Sequence, residues 1–183
     1  MSTERTTGLT YDDLLEMFPE ETNQRVQLIG GELIVAPAPT LRHQSVVIRL
    51  GSALVVYQGR HGGLAATAPD LLVTPSDSLQ PDVLFFRNQP PPDHPVTVVP
   101  DLVVEVSSPG TRGDDLGRKK HLYEQFGVPE YWFVDLRADL IQVFRLSQGR
   151  YDPPSTFGRA DTLESDALPG FTAPVAEILG PPA

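Results

Sequence analysis

Apolar residues recur along this chain at two periods, and the alternation between them lays out its elements. Over Tyr11–Phe18 they fall at helical spacing, with Thr10 placed to cap the first turn and Pro19 just past the last. Two short apolar runs, Arg25–Ile29 and Glu32–Val35, flank Gly30-Gly31, which is a hairpin signal, and Pro37-Ala38-Pro39 breaks the second run. The helical period returns from Leu41 to Gln58, with Thr40 as N-cap and Val46, Val47, Leu50, Leu54 and Val55 among its apolar positions. After Gly62-Gly63, the runs Leu64–Ala66 and Leu71–Val73 predict a strand pair or one bent strand, with Asp70 between them.

The middle of the chain organises the rest. Two apolar segments, PDVLFF at 81–86 and PDLVVEVSS at 100–108, each begin with Pro-Asp, and a proline-rich loop joins them. If the second is a strand, Asp101, Val103, Glu105 and Ser107 share one face, and Leu102, Val104 and Val106 the other. Glu105 then stands in the middle of an apolar strand, where a carboxylate is costly unless it is paired, hydrogen-bonded or on a metal. Asp82 stands at the mouth of the neighbouring strand, so two strands bring two carboxylates to one place. A helix is predicted over Asp115–Phe126, with Leu116, Leu122, Tyr123 and Phe126 on one stripe. Lys119 falls in the middle of that stripe and Lys120 at its margin; they are the only lysines in the chain. Gly127-Val-Pro stops the helix. Tyr131–Leu136 and Leu140–Leu146 predict buried strands, Tyr151 begins a further one, and Leu168–Leu179 ends in a short amphipathic turn.

Helix, hairpin, helix, strands, helix, strands is the order of a mixed sheet with helices packed on it, an α/β fold bordering on α+β. At 183 residues the chain suits one domain, expected over 10–180 behind a flexible 1–9. With no membrane-length apolar run and no cysteine, the expectation is a cytoplasmic protein without disulfides or thiolate metal sites. The formal net charge of −10 opposes nonspecific attraction to nucleic acid. Such binding needs local basic groups, for which Arg42, Arg49, Arg60, Arg112 and Arg118 are candidates, or neutralisation by metal ions.

Asp82, Glu105 and Lys119 form the sharpest constellation. Carboxylates that hold magnesium or manganese, with a lysine to position water and offset phosphate charge, suit phosphodiester hydrolysis. The bland alternative is two turn residues and a structural Glu105–Lys119 ion pair. A noncatalytic nucleic-acid or protein interaction module that keeps the same fold is the rival reading, and the acidic charge speaks for it. Asp115 either orients Lys119 one turn away or favours the helix N-terminus, the second being the simpler reading. His43 is placed either to contact phosphate or water, or to pack.

The order of these motifs resembles the PD-(D/E)XK nuclease superfamily. The longer pattern resembles the Uma family of restriction endonucleases within it: GEL at 31–33, RHQ at 42–44, PDV at 81–83, PDLVVEVSSP at 100–109, Asp115-x3-Lys119-x3-Tyr123 and GVPEYWFVD at 127–135. The resemblance implies a core of helix, three strands, helix and fourth strand, and a magnesium- or manganese-dependent endonuclease acting on nucleic acid, DNA first. It implies Asp82 and Glu105 as metal ligands, Glu32 as a third, and Lys119 in the lysine role. The superfamily lysine usually follows the acidic residue by two positions, where this chain has Ser107. A two-fold homodimer is also expected, through Tyr131–Phe133 and the C-terminal strands.

Overall fold

The computed structural model describes residues 8–18, 25–36, 38–92, 94–107 and 112–182. Residues 1–7 of the expected flexible tail, Pro19, Pro37 and the break at 108–110 lie outside the described residues. Helix α1 (Tyr11–Met17) starts on a capping box in which Thr10 and Asp13 satisfy each other's backbone amides. Strands β1 (Val26–Ile29) and β2 (Glu32–Val35) turn through Gly30 and Gly31, both at positive φ. Helix α2 (Leu41–His61) begins at the Thr40 cap and runs three residues beyond the sequence expectation.

The central sheet uses β3 (Leu64–Ala66), β6 (Val83–Phe86), β7 (Leu102–Val106), β8 (Glu130–Asp135), β9 (Leu140–Ser147) and β10 (Arg150–Tyr151), in the order β10-β9-β8-β7-β6-β3. Strand β11 (Ser155–Gly158) also pairs with β9. Among the described strands of this sheet, β7 and β8 alone run parallel, as a crossover through a helix requires. The run from α2 through β3, β6, β7, the crossover helix and β8 is the helix, three strands, helix, strand core that the sequence resemblance implied.

Strands β4 (Leu71–Thr74) and β5 (Asp77–Leu79) join the N-terminal hairpin in a second sheet of order β2-β1-β5-β4. Leu64–Ala66 and Leu71–Val73 are therefore neither a pair nor one bent strand. Strands β12 (Thr162–Glu164) and β13 (Thr172–Pro174) form a small ribbon before α5 (Val175–Leu179).

Two apolar layers sandwich the central sheet. On one face Val83, Phe85, Leu102, Val104, Val106 and Trp132 pack under Val46, Leu50 and Leu54 of α2 and Ile178 of α5. On the other, Leu84, Phe86, Val103, Tyr131 and Phe133 meet Tyr123 from the crossover helix and Leu71 and Leu79 of the second sheet. The alternation in β7 is thus real, and it places Glu105 on the Tyr123 side. Tyr131, Trp132 and Phe133 are fully buried within one chain, so this segment offers no dimer contact. Of the apolar positions named for α2, Val46, Leu50 and Leu54 are buried and Val55 is exposed.

The crossover helix is not one regular helix over Asp115–Phe126. It comprises α3 (Arg112–Asp114), a π-turn (Asp115–Lys119) and α4 (Lys120–Phe126). A π-turn makes i→i+5 bonds and occurs often at functional sites. Here both of its terminal residues, Asp115 and Lys119, are buried. Gly127 ends α4 at a φ of 88°, a left-handed cap that glycine adopts without strain.

Candidate active site

The register Val83↔Val104 and Leu84↔Val103, carried one pair further, sets Asp82 opposite Glu105. Opposite residues of an antiparallel pair share a face. Both carboxylates are buried. The Val106 amide donates to Asp82 Oδ2 at 2.8 Å, tying the mouth of β6 to the residue after Glu105.

Each carboxylate has its own cationic or polar company. Arg25 Nη2 donates to Asp82 Oδ1 at 3.0 Å. His43 Nε2, at the start of α2, lies 3.1 Å from Asp82 Oδ2, and its buried Nδ1 has no hydrogen-bond partner among the described residues. Burial works against the Asp82 charge, yet the His43 hydrogen bond and charge, Arg25 and the Val106 amide together hold its carboxyl below the usual range.

Glu105 Oε1 accepts from Tyr123 Oη at 2.6 Å and from Lys119 Nζ at 3.2 Å. Its Oε2 accepts no hydrogen bond from a described residue. Burial pushes the Glu105 carboxyl up to about 8; Lys119 and Tyr123 oppose that rise, and Asp115 and Asp82 add to it as like charges. Lys119 Nζ also lies 3.0 Å from Asp115 Oδ1. Burial disfavours the ammonium, but Glu105 and Asp115 outweigh it and raise the lysine above its ordinary value. Asp115 therefore orients Lys119, and the simpler reading of it as a helix N-terminal charge gives way to a buried ion pair.

The remaining candidates lie elsewhere. Glu32 pairs with Arg118 at 2.7 Å, with 68% of its side chain exposed, rather than with Asp82 or Glu105. Lys120 points its ammonium at the Phe144 ring, 4.7 Å from the centroid. Asp101 accepts from the backbone and side chain of Arg87. Ser107 is buried, and its Oγ accepts from the Leu136 amide at 3.0 Å. Of the five arginines offered as a basic rim, Arg42, Arg112 and Arg118 are each paired with a carboxylate.

Two members of the site escaped the sequence reading of chemistry. Tyr123 was read as part of an apolar stripe, although its i+4 spacing from Lys119 was the signal that it shares the lysine's face. Arg25 carried no signal, because nothing local to a strand start tells which distant carboxylate it meets. A cavity of about 690 Å³ opens beside Asp82 and His43, walled by Arg25, Val35, Val47 and Ile48.

A family model described as "Putative restriction endonuclease", that of Uma2, matches residues 11–176. No curated protein matches the sequence. The fold is shared with a solved structure from Anabaena variabilis ATCC 29413, titled as a "putative nuclease belonging to DUF820". The two superpose with a TM-score of 0.78 at 17% identity, over 93% of this chain and 97% of that one. With nine-tenths of the chain matched in family order and the fold shared end to end, the chain belongs to the Uma2 family.

Proposed function

We propose that this chain is a metal-dependent endonuclease that hydrolyses phosphodiester bonds in nucleic acid, DNA first. One observation carries the reading: buried Asp82 at the mouth of β6 stands opposite buried Glu105 of β7 in the strand register, and Lys119 of the π-turn donates to Glu105. The donor set fits a hard divalent cation, magnesium or manganese. Two carboxylates on neighbouring strands, one with an oxygen that accepts no hydrogen bond from a described residue, match the one or two that magnesium takes beside water and phosphate oxygens. No group of three or more His, Asp or Glu among the described residues is placed to hold a metal. Water and substrate would complete the shell, and Glu32 would join it only by leaving Arg118.

Bound there, a divalent cation supplies Lewis-acid polarisation of the phosphate and a more acidic water. The chain's own residues do the rest. Lys119 is held charged by Asp115 and Glu105, so it serves as a donor and not as a base. Its ammonium would orient the attacking water and offset charge that develops on the phosphoryl oxygens. Tyr123 fixes the Glu105 carboxyl in place, and Arg25 and His43 fix that of Asp82. The π-turn seats Asp115 and Lys119 together on the buried side, which suits the lysine to this role.

The net charge of −10 and the pairing of Arg42, Arg112 and Arg118 favour the rival, a noncatalytic module. Nicking of supercoiled plasmid separates the two. The nuclease reading expects cleavage with magnesium or manganese, none with chelator, and none by Asp82→Asn. Metal-stimulated cleavage that is equal in Asp82→Asn would place the chemistry elsewhere, and no cleavage with any divalent metal would favour the module.

A further inference from the structure

Among the described residues, the outer face of α2 has no partner. Leu41 is 86% exposed, Ile48 66%, and Val55 and Val56 56% each. Leu41, Ile48 and Val55 recur every seven residues, and between them stand Ser45, Ser52 and Gly59, also exposed. The seam 41, 45, 48, 52, 55, 59 alternates large and small at the 4-3 spacing of a helix-pairing face. Apolar grooves flank it, one toward Ala65 and Val83 and one toward Ala173 and Ile178.

The alternation is its own complement. Lay a second copy of α2 antiparallel across a two-fold axis at residue 50. Leu41 then faces Gly59 of the partner subunit, Ser45 faces Val55 of the partner subunit, and Ile48 faces Ser52 of the partner subunit. Every layer sets one branched or long side chain against one small one, which permits close approach of the helix axes.

The glycines argue the same way. Glycine inside a helix is unfavourable relative to alanine. A Cβ at Gly51 or Gly59 would meet no atom within 4 Å in the monomer, so the fold itself does not require them. In the two-fold arrangement each lies opposite a side chain, Gly59 opposite Leu41 and Gly51 opposite Arg49. Arg49 does not block the seam: its Nη1 donates to the Glu177 carbonyl at 3.3 Å, over α5.

We propose that α2 is the interface of a symmetric homodimer, paired antiparallel with itself in this register. The seam is about 27 Å long at 1.5 Å per residue. A helix-pair footprint of that length covers on the order of 500–600 Å² per copy, at or just below the lower limit for specific stable interfaces and in the range of weak, transient ones. The dimer is therefore a reversible one. The six seam positions carry no charged side chain, so an apolar partner fits them. The expected homodimer thus moves from Tyr131–Phe133, which is buried, to α2.

Sedimentation velocity across micromolar to sub-millimolar protein tests the interface without any activity readout. The expected result is exchange between 20.0 kDa and twice that mass. Gly59→Leu should raise the dissociation constant more than tenfold while leaving thermal unfolding unchanged or improved, because leucine is the better helix former. The chain has no cysteine, so the register can be read directly. Under mild oxidation, Ile48→Cys mixed with Ser52→Cys should cross-link, and neither should do so alone. A monomer at every concentration overturns the proposal. So does a dimer unaffected by Gly59→Leu, or cross-linking of Ile48→Cys to itself.

Discussion

Replacing Glu105 by glutamine should stabilise the metal-free protein, and the gain should grow with pH. Glutamine keeps the size of the side chain and an oxygen that can still accept from Tyr123 and Lys119. It removes only the ability to ionise. In the folded protein burial lifts the Glu105 carboxyl from 4.5 to about 8. A group whose folded value is raised contributes stability that is whole below its unfolded value and is lost as pH rises through the folded one. Between pH 4.5 and 8 the unfolded chain releases this proton and the folded chain keeps it, at a cost of about 1.4 kcal/mol per pH unit. The glutamine variant escapes that loss. Its advantage should be near zero at pH 4.5, about 3 kcal/mol at pH 7 and on the order of 5 kcal/mol above pH 8. At pH 7 that corresponds to roughly 6–12 °C in Tm for a chain of this size. Paired thermal and urea unfolding of both proteins from pH 5 to 9, in chelator, reads the difference directly, and titrating groups distant from Glu105 cancel. Parallel pH curves would refute the reasoning. So would a glutamine variant several kcal/mol less stable at pH 8, since that would mean Glu105 is ionised and paired in the folded state.

Three further outcomes follow from the same geometry. A metal held by Glu105 would have to displace its proton, so manganese affinity should rise about tenfold per pH unit up to about pH 8 and then level off; calorimetry in buffers of different ionisation enthalpy should register the proton released, and a pH-independent affinity between pH 6 and 8 contradicts this. Lys119→Ala should abolish hydrolysis, spare metal binding and cost roughly 3–5 kcal/mol by breaking the buried ion pairs of Lys119 with Glu105 and Asp115. Lys120→Ala, which loses only the Phe144 contact of about 1 kcal/mol, should stay active; plasmid nicking by refolded variants decides between them. Glu130 is a buried glutamate of the same sheet, but it accepts from Trp132 Nε1, Ser165 Oγ and the Asp166 amide. Glu130→Ala should therefore cost roughly 3 kcal/mol or more in urea unfolding, with no change in manganese affinity.

The sequence was most legible where one local rule suffices. Thr10 and Thr40 cap their helices, Gly30-Gly31 turns the hairpin, and the Pro-Asp strands and the Trp132 strand form the central sheet. A carboxylate amid Val103, Val104 and Val106 announced itself by its cost, and the wheel picked Lys119 over Lys120 because one position lies on the apolar stripe and the other beside it. What stayed hidden depends on pairing at a distance. Strand β5 is three residues long, with Asp77 and Ser78 in it, and only its partners β1 and β4 make it a strand. The π-turn follows no propensity rule; burying Asp115 together with Lys119 selects it. Ser107 could pass as a vacant lysine position from spacing alone. Its buried bond to the Leu136 amide makes it a structural residue, so a lysine placed there would strand that amide and would not report on the chemistry. Val55 carries the right period for the core yet faces outward, because the helix has a second apolar seam.

The central claim is that Asp82 and Glu105 together hold the cation that makes this site hydrolytic. A crystal soaked in manganese at pH 8 or above, with data collected at the manganese absorption edge, tests it most directly. One strong anomalous peak should appear within coordinating distance of both carboxylates, with Lys119 nearby but unligated, and no such peak in Asp82→Asn. Manganese bound only at Glu32, or an undiminished peak in Asp82→Asn, would contradict it.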